Sequence, residues 1–373
     1  MRKPSGYEIA CVLPPGEHFS PQSAGAVALF VHETASHSAY NEYITVYGND
    51  EKQRRFSGVR YVGIKPSMRL LYGRNGGYAR ALIDQFKKRP VGLIEVHNRV
   101  GIFNTLAKAL PNVAISLFFH NDPLTIKGAM TPKERWAILS RADAIYCCSD
   151  FVRRRFLTGL EAGRTDHVKT IYYGVDPVLK AKKEPFILYV GRLTEEKGAL
   201  ELARAAQILL PHFPNWKIAY AGANRHGGGK GGTPYARAVS EALKPLGKQA
   251  VFLGHVPHSK VLELYGRAAI AVVPSIWQEP FGRTAIEAMA AGAALVTSGH
   301  GGLIEACGNA GIIVSPVTPE GLALALQGLL EDPETLRAVQ QQCITRGAEF
   351  SLHGCRSHVD ALRHQLLNQA YGG

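Results

Sequence analysis

Residues 274–305 read PSIWQEPFGRTAIEAMAAGAALVTSGHGGLIE, and the rest of the chain is expected to be organised around them. An apolar run, AIAVV at residues 269–273, comes directly before and predicts a buried strand. From Arg283 the apolar residues recur at helical spacing, and a second apolar run, AALVT, follows at residues 293–297. The order strand, loop, helix, strand predicts a parallel α/β unit.

Two carboxylates lie in this unit, Glu279 in the loop and Glu287 in the helix. The first N–H groups of a helix are unpaired and carry the positive end of its dipole. Phe281 and Gly282 precede the helix and offer such groups to a ligand, because glycine lets the backbone come close. With carboxylates that accept hydroxyl hydrogen bonds, the unit predicts a site for a polyhydroxylated, anionic ligand. The alternative is an ordinary surface helix with two unrelated acids.

Length and composition predict a globular chain of two or three domains. The chain has 373 residues, of which 46% are hydrophobic and 20% charged, and a domain has about 150 residues. Its apolar runs are shorter than the roughly 18 residues of a membrane span, and the first residues lack the apolar core of a signal peptide. Six scattered cysteines without C-x-x-C pairs predict free thiols and no zinc site. We therefore expect a cytoplasmic protein.

The chain is strongly basic, with a formal net charge of +13. Basic clusters lie in the first half, at residues 52–55, 87–89 and 153–155. Each alone is typical of a solvated helix end, but together they favour an anionic partner for this half. No nucleic-acid-binding motif accompanies them. The candidates are a phosphorylated or lipid-linked substrate and an anionic membrane surface.

The first half alternates predicted strands and helices. A strand at residues 7–13 leads to a helix near residue 24, where Gly25 would admit a phosphate or sugar. This loop is not a G-x-G-x-x-G, which counts against a dinucleotide oxidoreductase. Two later strands end at His97 and His120, and open parallel sheets bind ligands at such ends. A single histidine there can equally be structural.

The second half begins with an apolar run at residues 186–190 and continues as GRLTEEKG. Gly191 frees the backbone, and Arg192 and Lys197 would match a diphosphate at the sheet edge. The alternatives are a surface ion pair of Arg192 with Glu195 or Glu196 and a solvated Lys197.

Three further features of this half are predicted from pattern alone. The helix that follows Lys197 is expected to turn Leu200, Ala203, Ala206 and Ile208 inward. The glycine-rich segment at residues 224–234 is expected to be either a lid that reaches phosphates or a plain surface loop. After the strand VFLG, the next helix is expected to begin at Ser259 or Lys260.

Residues 279–305 resemble, nearly position by position, the donor-binding region of retaining GT-B glycosyltransferases of family 4. GRLTEEKG is similar to the family's diphosphate clamp, and FFHND to its strand that ends in a histidine beside the reacting sugar. IYYGVDP resembles the family's "NGVD" turn, with Tyr173 where asparagine is usual.

This resemblance implies a GT-B fold, an α/β architecture of two doubly wound Rossmann-like domains facing a cleft. The acceptor domain would span residues 1–178 and be completed by residues 352–373, whose helix crosses back. The nucleotide-sugar domain would span residues 185–351, after a linker at residues 178–185.

The resemblance also implies site residues. The catalytic set would be His120, Arg192, Lys197 and Glu279. His97 would line the acceptor side. Donor-binding positions would be Gly25, Gly191, Gly222, His255, Val256, Phe281, Gly282, Arg283 and Glu287, with Gly254 also near the base.

The implied reaction is retaining transfer of a hexose from a UDP- or GDP-sugar, by front-face attack in which the leaving phosphate helps to take the acceptor proton. No D-x-D sequence occurs, and the two clamp cations would carry the leaving-group charge, so no metal or other cofactor is expected. A lipid-linked glycan of bacterial polysaccharide or lipopolysaccharide synthesis is the expected acceptor, at the inner membrane face. The alternatives are a GT-B nucleotide-sugar epimerase and a non-catalytic nucleotide-sugar-binding protein.

Overall fold

The structure is a computed structural model that describes residues 8–50, 54–67, 69–160, 165–176, 182–222 and 232–371. The chain divides into two compact units. The first contains Met1–Gly174 and Leu352–Gly373, and the second contains Val175–Ser351. The boundary thus falls four residues before the expected residue 178. The expected linker lies partly outside the described residues, and its last two positions already belong to a strand.

The first unit contains a seven-stranded parallel sheet in the order β3-β2-β1-β4-β5-β6-β7. Its central strands are mostly apolar and are buried along their whole length, as expected where helices cover both faces. The strands are β1 Glu8–Val12, β2 Ile44–Asn49, β3 Arg60–Ile64, β4 Val91–His97, β5 Ala114–Phe119, β6 Ala144–Cys147 and β7 Val168–Thr170. The helices are α1 Ala26–Ala35, α2 Arg69–Lys88, α3 Val100–Ala109, α4 Pro132–Leu139 and α5 Asp150–Leu157.

The second unit contains a six-stranded parallel sheet in the order β10-β9-β8-β11-β12-β13. Its strands are β8 Glu184–Val190, β9 Lys217–Ala221, β10 Ala250–Gly254, β11 Ala268–Val273, β12 Ala294–Thr297 and β13 Ile312–Ile313. Its helices are α6 Ala199–Leu209, α7 Pro234–Leu243, α8 His258–Arg267, α9 Arg283–Ala290, α10 Leu303–Cys307, α11 Pro319–Glu331 and α12 Pro333–Ala348. The strand order reverses at β8, and such a switch point is where open α/β sheets bind ligands.

The predicted inner face of α6 is wrong at one position, since Ile208 is 48% exposed. The buried residues of this helix include Ala199, Leu202, Ala206 and Leu209, which recur every three or four positions. Ile208 lies five positions after the buried Ala203, which at 100° per residue places it about 140° away on the opposite face.

The last helix, α13 at Leu352–Tyr371, completes the first unit through a buried ion pair. Glu95 lies in the middle of β4. Arg363 Nε donates to Glu95 Oε1 and Arg363 Nη2 donates to Glu95 Oε2, both at 2.9 Å. Cys11 Sγ donates to the same carboxylate at 3.0 Å, and Arg363 Nη1 donates to the Thr34 carbonyl at 2.7 Å. Burial alone lowers the pKa of Arg363, but Glu95 raises it above its ordinary value. This bidentate pair holds α13 against the sheet.

None of the helices that the structure describes is long and apolar enough to cross a membrane. The cysteines are free, as expected, and all are buried except the half-buried Cys355.

Candidate functional site

Glycines join three neighbouring strand ends of the second unit. Gly191 N donates to the Ala221 carbonyl at 3.1 Å, and Gly222 N donates to the Gly254 carbonyl at 2.8 Å. A Cβ atom on Gly222 would lie 1.8 Å from the Gly191 carbonyl oxygen, so only glycine fits there. The predicted donor-binding positions Gly191 and Gly222 are therefore side by side at the carboxyl edge of the sheet.

At this edge Glu279 and Lys197 are direct partners. Lys197 Nζ and Glu279 Oε1 form a hydrogen-bonded ion pair, and Ser275 Oγ donates to the same oxygen at 2.5 Å. The Lys197 ammonium also lies 5.0 Å from the centre of the Trp277 ring, within the range of a cation–π contact. Ser275 and Trp277 were not predicted as site residues, although both lie within residues 274–305.

The loop that carries Glu279 is held at its backbone from two sides. The Glu196 carbonyl accepts from Ile276 N at 3.0 Å, and the Glu279 carbonyl accepts from Gly302 N at 2.7 Å. Glu279 also forms a parallel bridge with Gly301. These bonds fix the Glu279 backbone, so that its carboxylate is presented in one place.

Gly198 allows the Lys197 turn to approach the end of β11. Its φ is +65°, which favours glycine, and a Cβ atom there would lie 1.9 Å from the Pro274 carbonyl oxygen.

Gly198→Ala should therefore destabilise the second unit more than Gly247→Ala does. Both glycines have positive φ, 65° and 52°, where an alanine is strained by about 1–2 kcal/mol. Only at position 198 does the new methyl meet backbone, because a Cβ on Gly247 has nothing within 4 Å. Urea denaturation of the two variants measures the difference, and equal losses would contradict the close approach at Pro274.

Arg192 makes the ion pair that the sequence analysis gave as its alternative. Arg192 Nη2 lies 3.3 Å from Glu196 Oε1, and about a third of each side chain is exposed. The Tyr189 hydroxyl donates a hydrogen bond to the Arg192 carbonyl at 2.7 Å. A half-exposed pair of this kind contributes little stability, so an incoming anion can replace Glu196 on the guanidinium.

Glu287 is buried in α9 and accepts two hydrogen bonds on one oxygen. Arg283 Nε and His258 Nε2 each lie 2.7 Å from Glu287 Oε1. Burial by itself raises the pKa of Glu287, but the Arg283 charge and the His258 hydrogen bond bring it below its ordinary value. The carboxylate is therefore ionised at neutral pH. His258 was missed because α8 begins one residue before the earliest predicted start.

The other predicted donor-binding residues of this unit are Phe281, Gly282, His255 and Val256, and they differ in their exposure to solvent. Phe281 is buried, and its ring packs edge-on against Phe350 with centroids 5.6 Å apart. Gly282 has a φ of +106° and directly precedes α9, and its carbonyl accepts from Ala285 N at 3.0 Å and from Ile286 N at 3.3 Å. His255 is exposed, whereas Val256 packs partly buried against the core. The side chains of Phe281 and Val256 thus pack within the second unit.

In the first unit, His120 lies in a chain of hydrogen-bonded rings. His120 Nε2 lies 2.9 Å from His97 Nδ1, and His120 Nδ1 lies 2.8 Å from the Tyr173 hydroxyl. Burial lowers the pKa of His120 to about 3 and that of His97 well below its ordinary value, so both rings are neutral. Both ring nitrogens of His120 are therefore already paired within the protein, whereas His97 Nε2 has no partner among the described residues.

Gly25 directly precedes α1, which begins at Ala26, two residues after the predicted start, and a carboxylate of the chain lies at this helix start. Ala28 N donates to Glu17 Oε1 at 3.3 Å, and a Cβ atom on Gly25 would lie 2.5 Å from that oxygen. A phosphate or sugar at this place would have to displace Glu17.

Two further expectations from the sequence concern the glycine-rich segment and metal binding. Residues 224–231 of the glycine-rich segment lie outside the described residues. Among the residues that are described, no group of three or more His, Cys, Asp or Glu side chains could hold a metal ion.

Two family profiles match consecutive parts of the chain. The profile described as "Glycosyltransferase Family 4" matches residues 27–179, and the one described as "Glycosyl transferases group 1" matches residues 176–346. Together they extend over both units.

Individual proteins are similar to the chain over different lengths. A glycogen synthase of Mycobacterium tuberculosis is 34% identical over 218 residues, which are 54% of this chain and 48% of the synthase. The chain thus spans about half the length of this relative.

Solved structures match over nearly the whole chain. A sucrose-phosphate synthase of Thermosynechococcus elongatus has a TM-score of 0.78 at 21% identity, covering 97% of this chain and all of that one. Anabaena HepE, solved with UDP and glucose, has a TM-score of 0.76 at 16% identity, covering 96% of this chain and all of that one. At these identities the likeness concerns the fold, which is GT-B.

Proposed function

Because the chain belongs to the glycosyltransferases of family 4, which have the GT-B fold, we propose that it transfers a hexose from a nucleotide-diphosphate sugar to a glycan. The configuration at the anomeric carbon is retained in this proposal. The observation that carries it is the Lys197–Glu279 pair beside the glycine edge of the second sheet.

The pair provides two functions that such a transfer needs. Lys197, with Arg192 nearby in the chain, neutralises charge that develops on the leaving diphosphate, and fixed cations of this kind supply much of an enzyme's rate enhancement. Glu279, whose backbone is fixed, accepts hydrogen bonds from the sugar hydroxyls. Glu287 accepts from the ribose of the same donor.

The chemistry needs no protein nucleophile in this proposal. The acceptor oxygen attacks the anomeric carbon on the face that the leaving phosphate departs from. The bond to the phosphate oxygen breaks, and that oxygen takes the acceptor proton. The two cations carry the leaving-group charge, so a divalent metal is not required.

We propose UDP as the donor nucleotide and an anionic glycan as the acceptor. UDP is the favoured nucleotide, because HepE, which shares the fold, was solved with UDP and glucose. The net charge of +13 supports an anionic acceptor, for which a lipid-linked glycan of bacterial polysaccharide or lipopolysaccharide synthesis is proposed. Such an acceptor would be met in the cytoplasm, at the inner face of the membrane.

Thermal unfolding with UDP, GDP, ADP and their sugars, with and without EDTA, tests the proposal. A ligand at a hundred times its dissociation constant stabilises the native state by about 2.7 kcal/mol. We expect UDP and a UDP-sugar to raise the melting temperature equally in both conditions. No shift with any nucleotide would contradict the donor class, and a shift lost in EDTA would contradict metal independence.

A further inference from the structure

We propose that His258 is a positioning residue that orients the Glu287 carboxylate for the ribose hydroxyls and so sets the preference for ribonucleotides. This inference rests on the proposed function, because the role of Glu287 in holding ribose belongs to that proposal. His258 is not among the site residues predicted from the sequence.

The geometry around Glu287 is asymmetric. His258 Nε2 and Arg283 Nε both donate to Oε1 at 2.7 Å, and neither bond uses Oε2. The Glu287 side chain is 3% exposed, while that of His258 is 22% exposed. Two donors on one oxygen hold the carboxylate plane and leave Oε2 to accept from a hydroxyl of the ligand.

The two donors constrain Glu287 in different ways. Arg283 lies four residues earlier on the same helix, so its bond to Glu287 fixes the carboxylate relative to α9. His258 is the first residue of α8, which follows the end of β10. It therefore ties the carboxylate to the sheet edge where Gly222 and Gly254 meet. Without it, the broad terminal torsion of a glutamate is held from one side only.

The contact also dictates which substitutions can replace His258. An ionised carboxylate only accepts, so His258 Nε2 must carry the proton in this bond. The amide nitrogen of glutamine lies at about the same reach from the backbone as Nε2 and also donates. Alanine removes the donor, and Glu287 then keeps Arg283 alone.

The test compares UDP with 2′-deoxy-UDP by isothermal titration calorimetry in the wild type, His258→Ala, His258→Gln and Glu287→Ala. A hydrogen bond to a charged group corresponds to roughly a tenfold to hundredfold preference for UDP. We expect that preference in the wild type, its loss in Glu287→Ala, a fall to a few-fold in His258→Ala, and its recovery in His258→Gln. His212→Ala is the matched control, because His212 is an exposed histidine of the same unit.

The outcomes separate this inference from the proposed function. If no nucleotide binds the wild type, both are overturned. If UDP binds the wild type and His258→Ala lowers the affinities for UDP and 2′-deoxy-UDP by the same factor, the proposed donor class stands and the positioning role of His258 is overturned. A wild type that binds both nucleotides equally overturns the role as well. A drop in preference that glutamine restores supports it, since a loss of folding would not distinguish the two sugars.

Discussion

Lys197→Ala should lower kcat by roughly a hundredfold to a thousandfold, the range found when one fixed electrostatic contact to the transition state is removed. The Lys197 ammonium is partly buried beside Glu279 and the Trp277 ring. Its charge is therefore less screened by water than that of a surface lysine. It is also held before the donor binds, so little reorganisation precedes the reaction.

The measurement is steady-state release of UDP from a UDP-sugar with acceptor present. Lys244→Ala is the matched control, because Lys244 forms an exposed pair with Glu241 in the same unit, and its activity should stay within twofold of the wild type. Thermal unfolding of both variants shows whether the fold is intact. A folded Lys197→Ala enzyme with more than a third of the wild-type kcat would remove Lys197 from the mechanism.

Arg363→Met should lower the free energy of unfolding of the first unit by about 3–5 kcal/mol, the range for breaking a buried ion pair from one side. The substitution leaves the Glu95 carboxylate buried, with Cys11 as its remaining hydrogen-bond donor. It also removes the bond from Arg363 to the Thr34 carbonyl.

Urea denaturation, followed by far-UV circular dichroism, measures this loss. Gln365→Ala is the control on the same helix, because Gln365 is exposed and makes one bond to Lys169, so it should change stability by less than about 0.5 kcal/mol. The double variant Glu95→Leu/Arg363→Met should recover part of the loss, because no charge is then left buried. A double variant less stable than Arg363→Met would contradict this account.

Long, strongly patterned elements were predictable from the sequence. The apolar run at residues 269–273 is β11, and the change to helical spacing at Arg283 is the first residue of α9. Two elements escaped for physical reasons. β7 has three residues, too few for a period to show. The first part of α2 is rich in glycine, and Gly73 has non-helical dihedral angles there.

The charged residues of the candidate site were predictable where the charge and the motif around it lie in one continuous segment. Glu279, Glu287 and Lys197 lie in such segments. The hydrogen-bond partners of these residues could not be predicted from the sequence, because they depend on how separate segments pack together. Lys197 and Glu279 are 82 positions apart, and His258 and Glu287 are 29 apart. A helix start misplaced by one residue was enough to hide His258.

The division of the chain into two units also determines when the parts of each unit become available during translation. The second unit is one uninterrupted stretch, Val175–Ser351, whereas the first needs Leu352–Gly373. Translation from the N-terminus therefore delivers Glu95 long before Arg363, and the whole second unit leaves the ribosome in between. During that interval Arg363, the cation that pairs with the β4 carboxylate in the folded unit, has not yet been made. The N-terminal part of the nascent chain thus lacks α13 until the second unit has been synthesised, whereas the second unit needs no later segment of the chain for its own fold.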